Sequence, residues 1–179
     1  METKTVTKWT IDKAHSEVQF KAKHLVISTV TGHFRQFDGG MESNDGKLEH
    51  AKAWFTADLA SISTNNTDRD NHLKSADFFD AENHPQITFE STGFKHLDDD
   101  HYRMYGHLTI RGVTREVILN VGYGGTMVDP YGNTKAGYEI TGKVNRHEFG
   151  LKWNAVTEAG GVVVGEDIKL VLNVQMHKL

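Results

Sequence analysis

Apolar and polar side chains alternate along most of this chain with a period of two residues. In the stretch SEVQFKAKH, residues 16–24, Val18, Phe20 and Ala22 fall on one face and polar side chains fall on the other. Such alternation is typical of a half-buried antiparallel strand. The same pattern occurs in AKAWFTADLA (51–60), QITFES (86–91), YRMYGHLTI (102–110), EVILNVGYG (116–124), YEITGKVN (138–145) and DIKLVLNVQM (167–176). We predict about eight longer strands and a further short one at WTID, residues 9–12.

One stretch departs from the alternation and predicts a short helix. It is RDNHLKSADFFD, residues 69–80. Thr67 or Asp68 is expected to cap its amino end, because such side chains accept hydrogen bonds from the first free N–H groups of a helix. Leu73 and Phe78 would share the buried side of this helix. We expect the segment to cross near one end of the sheet structure.

The segments between predicted strands have the residues of tight turns. NDG (44–46), RGVTR (111–115) and DPYGN (129–133) supply glycine, asparagine, aspartate or proline where a hairpin needs them. No helix–strand alternation and no repeat occurs, so the predicted fold class is all-β. Eight antiparallel strands can close into an up-and-down barrel or pack as a two-layered sandwich. We favour the barrel, because closure removes exposed strand edges, although the period alone does not separate the two.

Composition narrows the function without identifying it. The 179 residues suit a single domain spanning 1–179, and the formal net charge of -4 gives no basic surface for nucleic acid. The chain has no cysteine, which excludes disulfides, thiolate metal sites and cysteine nucleophiles. The first ten residues, METKTVTKWT, lack the apolar core of a signal peptide. We therefore expect a cytoplasmic protein, or a periplasmic one if a leader has been removed.

Small residues on the predicted inner face suggest a hollow interior. Ala22, Ala53, Ala57, Gly106 and Gly142 all lie on this face beside large apolar neighbours. An unfilled void destabilises a protein by roughly 24 cal/mol per Å³, so an apolar guest would offset that cost. The alternative is that these small residues only fit the coiling of a barrel whose interior is full.

Other chemistry has weaker support in the sequence. The eleven histidines lack the spacing of a metal site, so no metal and no cofactor are predicted. His15 and Ser16, with an aspartate, make a nominal triad, but no Gly-x-Ser-x-Gly motif supports it, and no catalytic residue is assigned. We interpret Arg69 and Asp70 as structural, binding neighbouring loops. Contact of these two residues with the polar head of a ligand is the alternative.

Three long stretches resemble the YceI-like family of lipid-binding proteins. They are IDKAHSEVQFKAKHLVISTVTGHFRQFDG (11–39), SISTNNTDRDNHLKSADFFDAENHPQITFEST (61–92) and DPYGNTKAGYEITGKVNRHEFGLKWN (129–154). The resemblance extends over nearly the whole chain. Two features depart from the family. Many relatives carry a signal peptide, and the usual Asn-Arg-Ser-Asp-Phe-Gly motif reads NRHEFG here, residues 145–150.

The resemblance implies a lipocalin-like eight-stranded antiparallel barrel that binds a long apolar lipid for carriage, storage or sequestration. The expected ligands are a polyisoprenoid, the tail of an isoprenoid quinone, or a fatty amide. Several relatives are dimers, so the resemblance allows a homodimer; no nucleic acid and no integral membrane segment are expected. The alternatives are an enzyme acting on an isoprenoid or fatty chain, or a filled structural or stress-response barrel.

The residues expected to line the cavity are those on the inner face of the predicted strands. They are Val18, Phe20, Phe37, Phe55, Leu59, Phe89, Met104, Leu108, Ile110, Leu119, Tyr138, Ile140, Leu170 and Leu172. Their expected role is to contact and desolvate the apolar chain. Phe78, Phe79 and Trp153 are expected at the entrance of the cavity.

Overall fold

The computed structural model describes residues 6–154 and 164–179. Within these residues the strands are β1 (Thr7–Ile11), β2 (Glu17–His24), β3 (Ser28–Phe34), β4 (Phe37–Ser43), β5 (Lys52–Asp58), β6 (Ile62–Ser63), β7 (Gln86–Asp98), β8 (His101–Ile110), β9 (Val113–Val128), β10 (Thr134–Asn145) and β11 (Val164–Lys178). The α-helix in this part of the chain, α1, is Thr67–Lys74, and 3-10 helices occur at Lys13–His15, Leu48–His50, Leu59–Ser61 and Arg146–Phe149. Each alternating stretch lies largely within a strand, and the short strand expected at WTID is β1.

The sheet closes into a barrel. Its pairings run β1–β4–β5–β7–β8–β9–β10–β11, all antiparallel, and β11 returns to β1 through the pairs Trp9–Lys178 and Ile11–Met176. This ring contains eight strands, so the predicted eight-stranded antiparallel barrel is confirmed and the sandwich is excluded. Closure leaves no free edge along the ring.

Three of the eight barrel strands are interrupted. β1 continues as β2 after the 3-10 helix Lys13–His15, β3 continues as β4 after residues 35–36, and β5 continues as β6 after Leu59–Ser61. The neighbouring strands stay the same across each interruption, because β2 pairs with β3 and with β11, and β3 pairs with β6. Interruptions of this kind allow adjacent strands to bend, as closure of a sheet into a barrel requires.

β3, β4 and the two-residue β6 are the strands that the alternation did not mark. Gly32, Gly39 and Gly40 fall within β3 and β4, and glycine obscures a pattern that depends on side chains. The glycines make room for large neighbours, because a Cβ atom added at Gly32 would collide with the ring of Phe20. The contact with Phe20, directly opposite Gly32 on the adjacent strand β2, therefore explains a glycine within β3.

The helix begins slightly earlier than the sequence indicated. Asn66 caps α1, because its side-chain oxygen accepts a hydrogen bond of 3.0 Å from the backbone N–H of Arg69. The prediction of Thr67 or Asp68 as the cap was therefore wrong by one or two residues. No residue of α1 is fully buried, and no helix in the described residues is long and apolar enough to cross a membrane.

Polar contacts attach the helix to the barrel. The backbone N–H and the hydroxyl of Thr64 donate to the Asp70 carboxylate at 2.8 and 2.6 Å. Arg69 donates to the hydroxyl and the carbonyl oxygen of Thr64, each at 2.7 Å. Both charged residues therefore pin the segment after β6, which agrees with their structural interpretation.

Packed apolar side chains close the barrel end beside α1. The helix stops at Lys74, so Phe78 lies in the turns that follow it and not on the helix itself. The Phe78 carbonyl accepts a hydrogen bond of 2.9 Å from Arg111, in the turn between β8 and β9. The residues buried in this plug are Leu59, Ile62, Phe78, Phe149 and Leu151.

Candidate functional site

A cavity of about 160 Å³ lies inside the barrel. Along much of each strand every second residue faces it, as the pleat of a barrel strand requires. Twelve of the fourteen residues that we predicted for the cavity are in its wall: Val18, Phe20, Phe55, Phe89, Met104, Leu108, Ile110, Leu119, Tyr138, Ile140, Leu170 and Leu172. Their contact with a lipid stays a prediction.

Phe37 and Leu59 are buried elsewhere, so their predicted place in the cavity wall needs correction. Leu59 is fully buried because β5 ends at Asp58, where the chain turns into a 3-10 helix and the alternation stops. Its side chain belongs to the plug beside α1. Phe37 is the first residue after the interruption between β3 and β4, and its ring stacks against Phe55 at a centroid distance of 6.3 Å. Phe37 therefore supports the wall from outside the cavity, through its contact with Phe55.

Fifteen further residues line the cavity without having been assigned to it. Alternation places seven of them on the inner face, so a wider selection from the same pattern would have found them. Leu48 and Phe94 have no such signal, because Leu48 is in a 3-10 helix and Phe94 follows a bulge in β7. The fifteen are Ile11, Gln19, Phe34, Gly40, Met41, Leu48, Ala53, Trp54, Ala57, Ile87, Phe94, Val117, Val121, Val174 and Met176.

The small residues of the inner face contribute unequally to the hollow. A Cβ atom at Gly106 would collide with the ring of Phe89, and one at Gly142 would collide with the side chain of Leu119. These glycines are therefore covered by large side chains from neighbouring strands, and the expectation that they leave voids was wrong. Ala53 and Ala57 do line the cavity.

The cavity wall is apolar, and none of the described residues that line it is charged. Gln19, Trp54 and Tyr138 are the lining residues with polar side-chain atoms, and none of them is ionised at neutral pH. Burial, helped by the nearby Tyr123 and Tyr102, raises the pKa of Tyr138 to about 12, so its hydroxyl stays protonated. Such a wall can desolvate and contact an apolar molecule.

The cavity continues into a groove at the barrel end opposite α1. Met41, Leu48 and Tyr138 line both spaces, and the groove adds the aromatic rings of Trp9, Tyr102 and Tyr123 among others. The 3-10 helix Leu48–His50 places Leu48 between the cavity and the groove. This end, which we call the mouth, is where the cavity adjoins an open surface groove.

The three residues expected at the entrance lie at the other end, beside α1. Phe78 is buried, while Phe79 and Trp153 are half-buried, and none of them lines the cavity. The rings of Phe78 and Trp153 pack at 5.2 Å, with His72 against both. An entrance here would require this cluster to open, and the role stays a prediction.

The nominal triad near the start of β2 is not assembled. The Ser16 hydroxyl accepts from the backbone N–H of Gln175 at 2.9 Å, whereas His15 pairs with Asp12 at 2.9 Å. Asp12 also accepts a hydrogen bond of 2.9 Å from Lys135. Over residues 6–154 and 164–179, no three histidine, aspartate or glutamate side chains converge in a group that could hold a metal ion.

Comparison with known proteins gives consistent matches over the barrel. The YceI-like domain family matches residues 9–176 of the chain. A UPF0312 protein of Staphylococcus epidermidis is 38% identical over 165 residues, which cover 92% of this chain and 94% of the relative.

Solved structures share the fold. A YceI protein of Campylobacter jejuni matches with a TM-score of 0.74 and 32% identity, covering 99% of this chain and 98% of that one. A polyisoprenoid binding domain from Saccharophagus degradans, implicated in plant cell wall breakdown, matches with a TM-score of 0.67 and 14% identity, covering 94% and 97%. Because its identity is only 14%, the match to the Saccharophagus domain shows a shared fold and nothing more. From the family match and the Staphylococcus relative, the chain belongs to the YceI-like family.

Proposed function

We propose that this protein binds one long apolar lipid inside its barrel, for carriage, storage or sequestration. The observation that carries the proposal is a closed barrel whose internal cavity is lined mainly by apolar side chains, with no charged group in the part of the chain that the structure describes. The fold shared with a domain described as polyisoprenoid binding supports a polyisoprenoid, or the tail of an isoprenoid quinone, as the ligand. A fatty amide has the same kind of long apolar chain.

Burial of the chain supplies the affinity. Each methylene group removed from water contributes about 0.8 kcal/mol, so several isoprene units can bind tightly without a hydrogen bond. Ordering a flexible tail and the side chains around it opposes binding. Selectivity would then depend on the length and shape of the chain.

The cavity volume limits how such a guest can be held. A dry cavity of about 150 Å³ lined by Leu, Ile and Phe admits a benzene-sized guest, and the cavity here is about 160 Å³. A longer chain requires side chains of the wall to change rotamer. Phe20, Phe55 and Phe94 are half-buried members of the wall and are the side chains we expect to move.

A filled structural barrel is the second candidate, because Phe89 and Leu119 already cover the glycines of the inner face. Organic extraction of the purified protein, followed by mass spectrometry, separates the two. Copurified lipid at near-stoichiometric yield supports the proposal. An empty barrel that also takes up no added polyprenol would support the filled barrel instead.

Blocking the cavity gives a direct test of the proposed site. Ala53 is half-buried and lines the cavity, so Ala53→Phe places a ring where the guest would lie. We expect polyprenol affinity to fall at least about tenfold, which corresponds to about two buried methylenes. Ala60→Phe is the matched control, because Ala60 is exposed. Equal binding by both variants, with circular dichroism unchanged, would argue against the cavity as the site.

The proposed function does not include catalysis. No observation favours an enzyme over a binder, since His15 and Ser16 are held by different partners. Turnover of a bound polyprenol that is lost on changing His15 or Ser16 would contradict this part of the proposal.

A further inference from the structure

Tyrosine rings, which carry hydroxyl groups, line the groove at the mouth, whereas most of the aromatic rings in the cavity wall behind it are phenylalanines. Trp9, Tyr102 and Tyr123 line the groove, and Tyr138 lies where the groove meets the cavity. The rings of Tyr123 and Tyr138 are 5.5 Å apart. An amphipathic guest with its tail in the cavity would therefore place its other end among these rings.

The hydroxyl group of Tyr138 is the second feature of the mouth that bears on a ligand. The side chain is half-buried, yet its hydroxyl makes no hydrogen bond within residues 6–154 and 164–179. The neighbouring Tyr123 hydroxyl, by contrast, pairs with Thr126. A phenol in apolar surroundings is stabilised by a hydrogen-bonding partner, so Tyr138 is well placed to donate to a polar atom of a guest.

The charges around the mouth disfavour an anionic group. Lys47 and Glu49 both line the groove and offset each other. Asp99 and Asp100 form the neighbouring turn between β7 and β8, and the carbonyl of Asp100 accepts a hydrogen bond of 2.8 Å from the Tyr123 N–H. Asp98, at the end of β7, pairs with His101 at 2.8 Å. The groove therefore offers a phosphate or diphosphate no net positive charge among its described lining residues.

We propose that the mouth is a binding site for a neutral, oxygen-bearing head group, and that the Tyr138 hydroxyl donates a hydrogen bond to it. The inference rests on the proposed function, because the tail must occupy the cavity. It fixes the orientation of the guest, with its head at the end opposite α1. The head class is an alcohol, carbonyl or amide oxygen, and a phosphorylated chain is expected to bind more weakly.

The first test removes the hydroxyl and keeps the ring. Tyr138→Phe is titrated with geranylgeraniol and with the hydrocarbon analogue that lacks its hydroxyl group. We expect the affinity for the alcohol to fall about tenfold, as for one lost hydrogen bond, and the affinity for the hydrocarbon to stay unchanged. Tyr131→Phe, in an exposed turn, is the matched control and should change neither affinity.

Each outcome of these titrations decides a separate claim. An unchanged affinity of Tyr138→Phe for the alcohol overturns the head-group site and leaves the lipid-binding barrel standing. Tighter binding of geranylgeranyl monophosphate than of the alcohol to the unaltered protein also overturns it. Failure of the unaltered protein to bind any of the three molecules overturns the proposed function, and the head-group site with it.

Orientation is tested independently with a geranylgeraniol derivative that carries a photoreactive diazirine at its head. After irradiation, mass spectrometry of peptides should locate the crosslinks near Tyr138, Trp9 or Leu48. Crosslinks to Phe78, Phe79 or Trp153 would place the head beside α1 and overturn the proposed orientation.

Discussion

Large side chains that lie across glycines shape the inner surface of the barrel. The ring of Phe89 covers Gly106 on the adjacent strand, and the side chain of Leu119 covers Gly142 in the same manner. Packing of this kind narrows the hollow while keeping aromatic and aliphatic groups in contact across strands. The volume of the cavity therefore depends on pairs of residues that are distant in sequence.

Gly106→Ala tests this packing. The added methyl group would collide with Phe89 and approach the carbonyl oxygen of Glu90, so we expect the free energy of unfolding to fall by about 1–3 kcal/mol. Gly93→Ala, on the neighbouring strand of the same hairpin, finds no atom within 4 Å and is expected to be neutral or slightly stabilising. Urea unfolding measures both. Equal effects of the two substitutions would contradict the close approach at Gly106.

The turn between β2 and β3 holds two ordinary residues in the left-handed backbone region. Leu25 has a φ of 53° and Val26 a φ of 65°, and Val26 is 73% exposed. A β-branched residue in this region is strained by steric contact with its own backbone, and because Val26 is mostly exposed, its burial offsets little of that strain.

Val26→Asn is expected to relieve that strain. Asparagine tolerates positive φ, so the free energy of unfolding should rise by about 1 kcal/mol, measured by urea or thermal unfolding. Ile27→Asn is the control, because Ile27 is also exposed but has no positive φ. A stabilising effect of the same size at Ile27 would show that removing an exposed apolar residue, not backbone strain, is the cause.

At the scale of elements, one buried arginine organises the chain after β10. Arg146, in the 3-10 helix Arg146–Phe149, donates to four backbone carbonyl oxygens at 2.6–3.3 Å, those of Leu151, Trp153, Val164 and Gly165. The guanidinium fork therefore ties the segment 151–153 to the start of β11. The family-like NRHEFG motif thus has a structural role at its arginine, and the histidine that departs from the family pattern lies 3.3 Å from Glu166.

Arg146→Met is expected to destabilise the protein by about 3 kcal/mol, because it leaves buried carbonyl groups without a hydrogen bond. Arg115→Met is the control. Arg115 is exposed and donates one hydrogen bond, to the carbonyl of Glu148, so its loss should change stability by less than about 1 kcal/mol. Chemical unfolding of both variants checks the difference, and similar losses would contradict the special role of Arg146.

At the scale of the whole molecule, stability depends on how the barrel closes. Asp12 follows β1, and its backbone N–H donates to Gln175 of β11 at 2.8 Å while its carboxylate pairs with Lys135 of β10 at 2.9 Å. The hydrogen bond from Lys135, aided by one from His15, lowers the pKa of Asp12 from 3.8 to about 2. A carboxylate with a lowered pKa stabilises the fold above pH 3.8, and this stabilisation is lost as the pH falls towards about 2.

Asp12→Asn should therefore weaken the acid dependence of stability. Unfolding midpoints measured from pH 5 down to pH 2 are expected to fall less steeply in the variant than in the unaltered protein, and the variant should be less stable at neutral pH. Asp100→Asn, at an exposed position, serves as the control. Parallel pH profiles for Asp12→Asn and the unaltered protein would contradict the role of this ion pair in closure.

The sequence by itself determined the strands and the face that each one buries. Alternation is a local property, since each strand has one face towards water and one towards the interior, and this is why twelve predicted residues fall in the cavity wall. It failed where the chain leaves the regular pleat, as at Leu59, Leu48 and Phe94. The alternation also missed β3 and β4, because they contain glycines, and the large side chains that pack against these glycines belong to other strands.

Only the tertiary structure decided that the sheet closes, how large the cavity is, and which end adjoins a groove. Closure depends on β1 meeting β11, two segments from opposite ends of the chain, and no local pattern encodes that pairing. The cavity volume depends on how Phe89 and Leu119 lie over glycines of neighbouring strands. The sequence suggested an entrance beside α1, whereas the packed plug there and the groove beside Leu48 depend on contacts between loops that only the folded chain brings together.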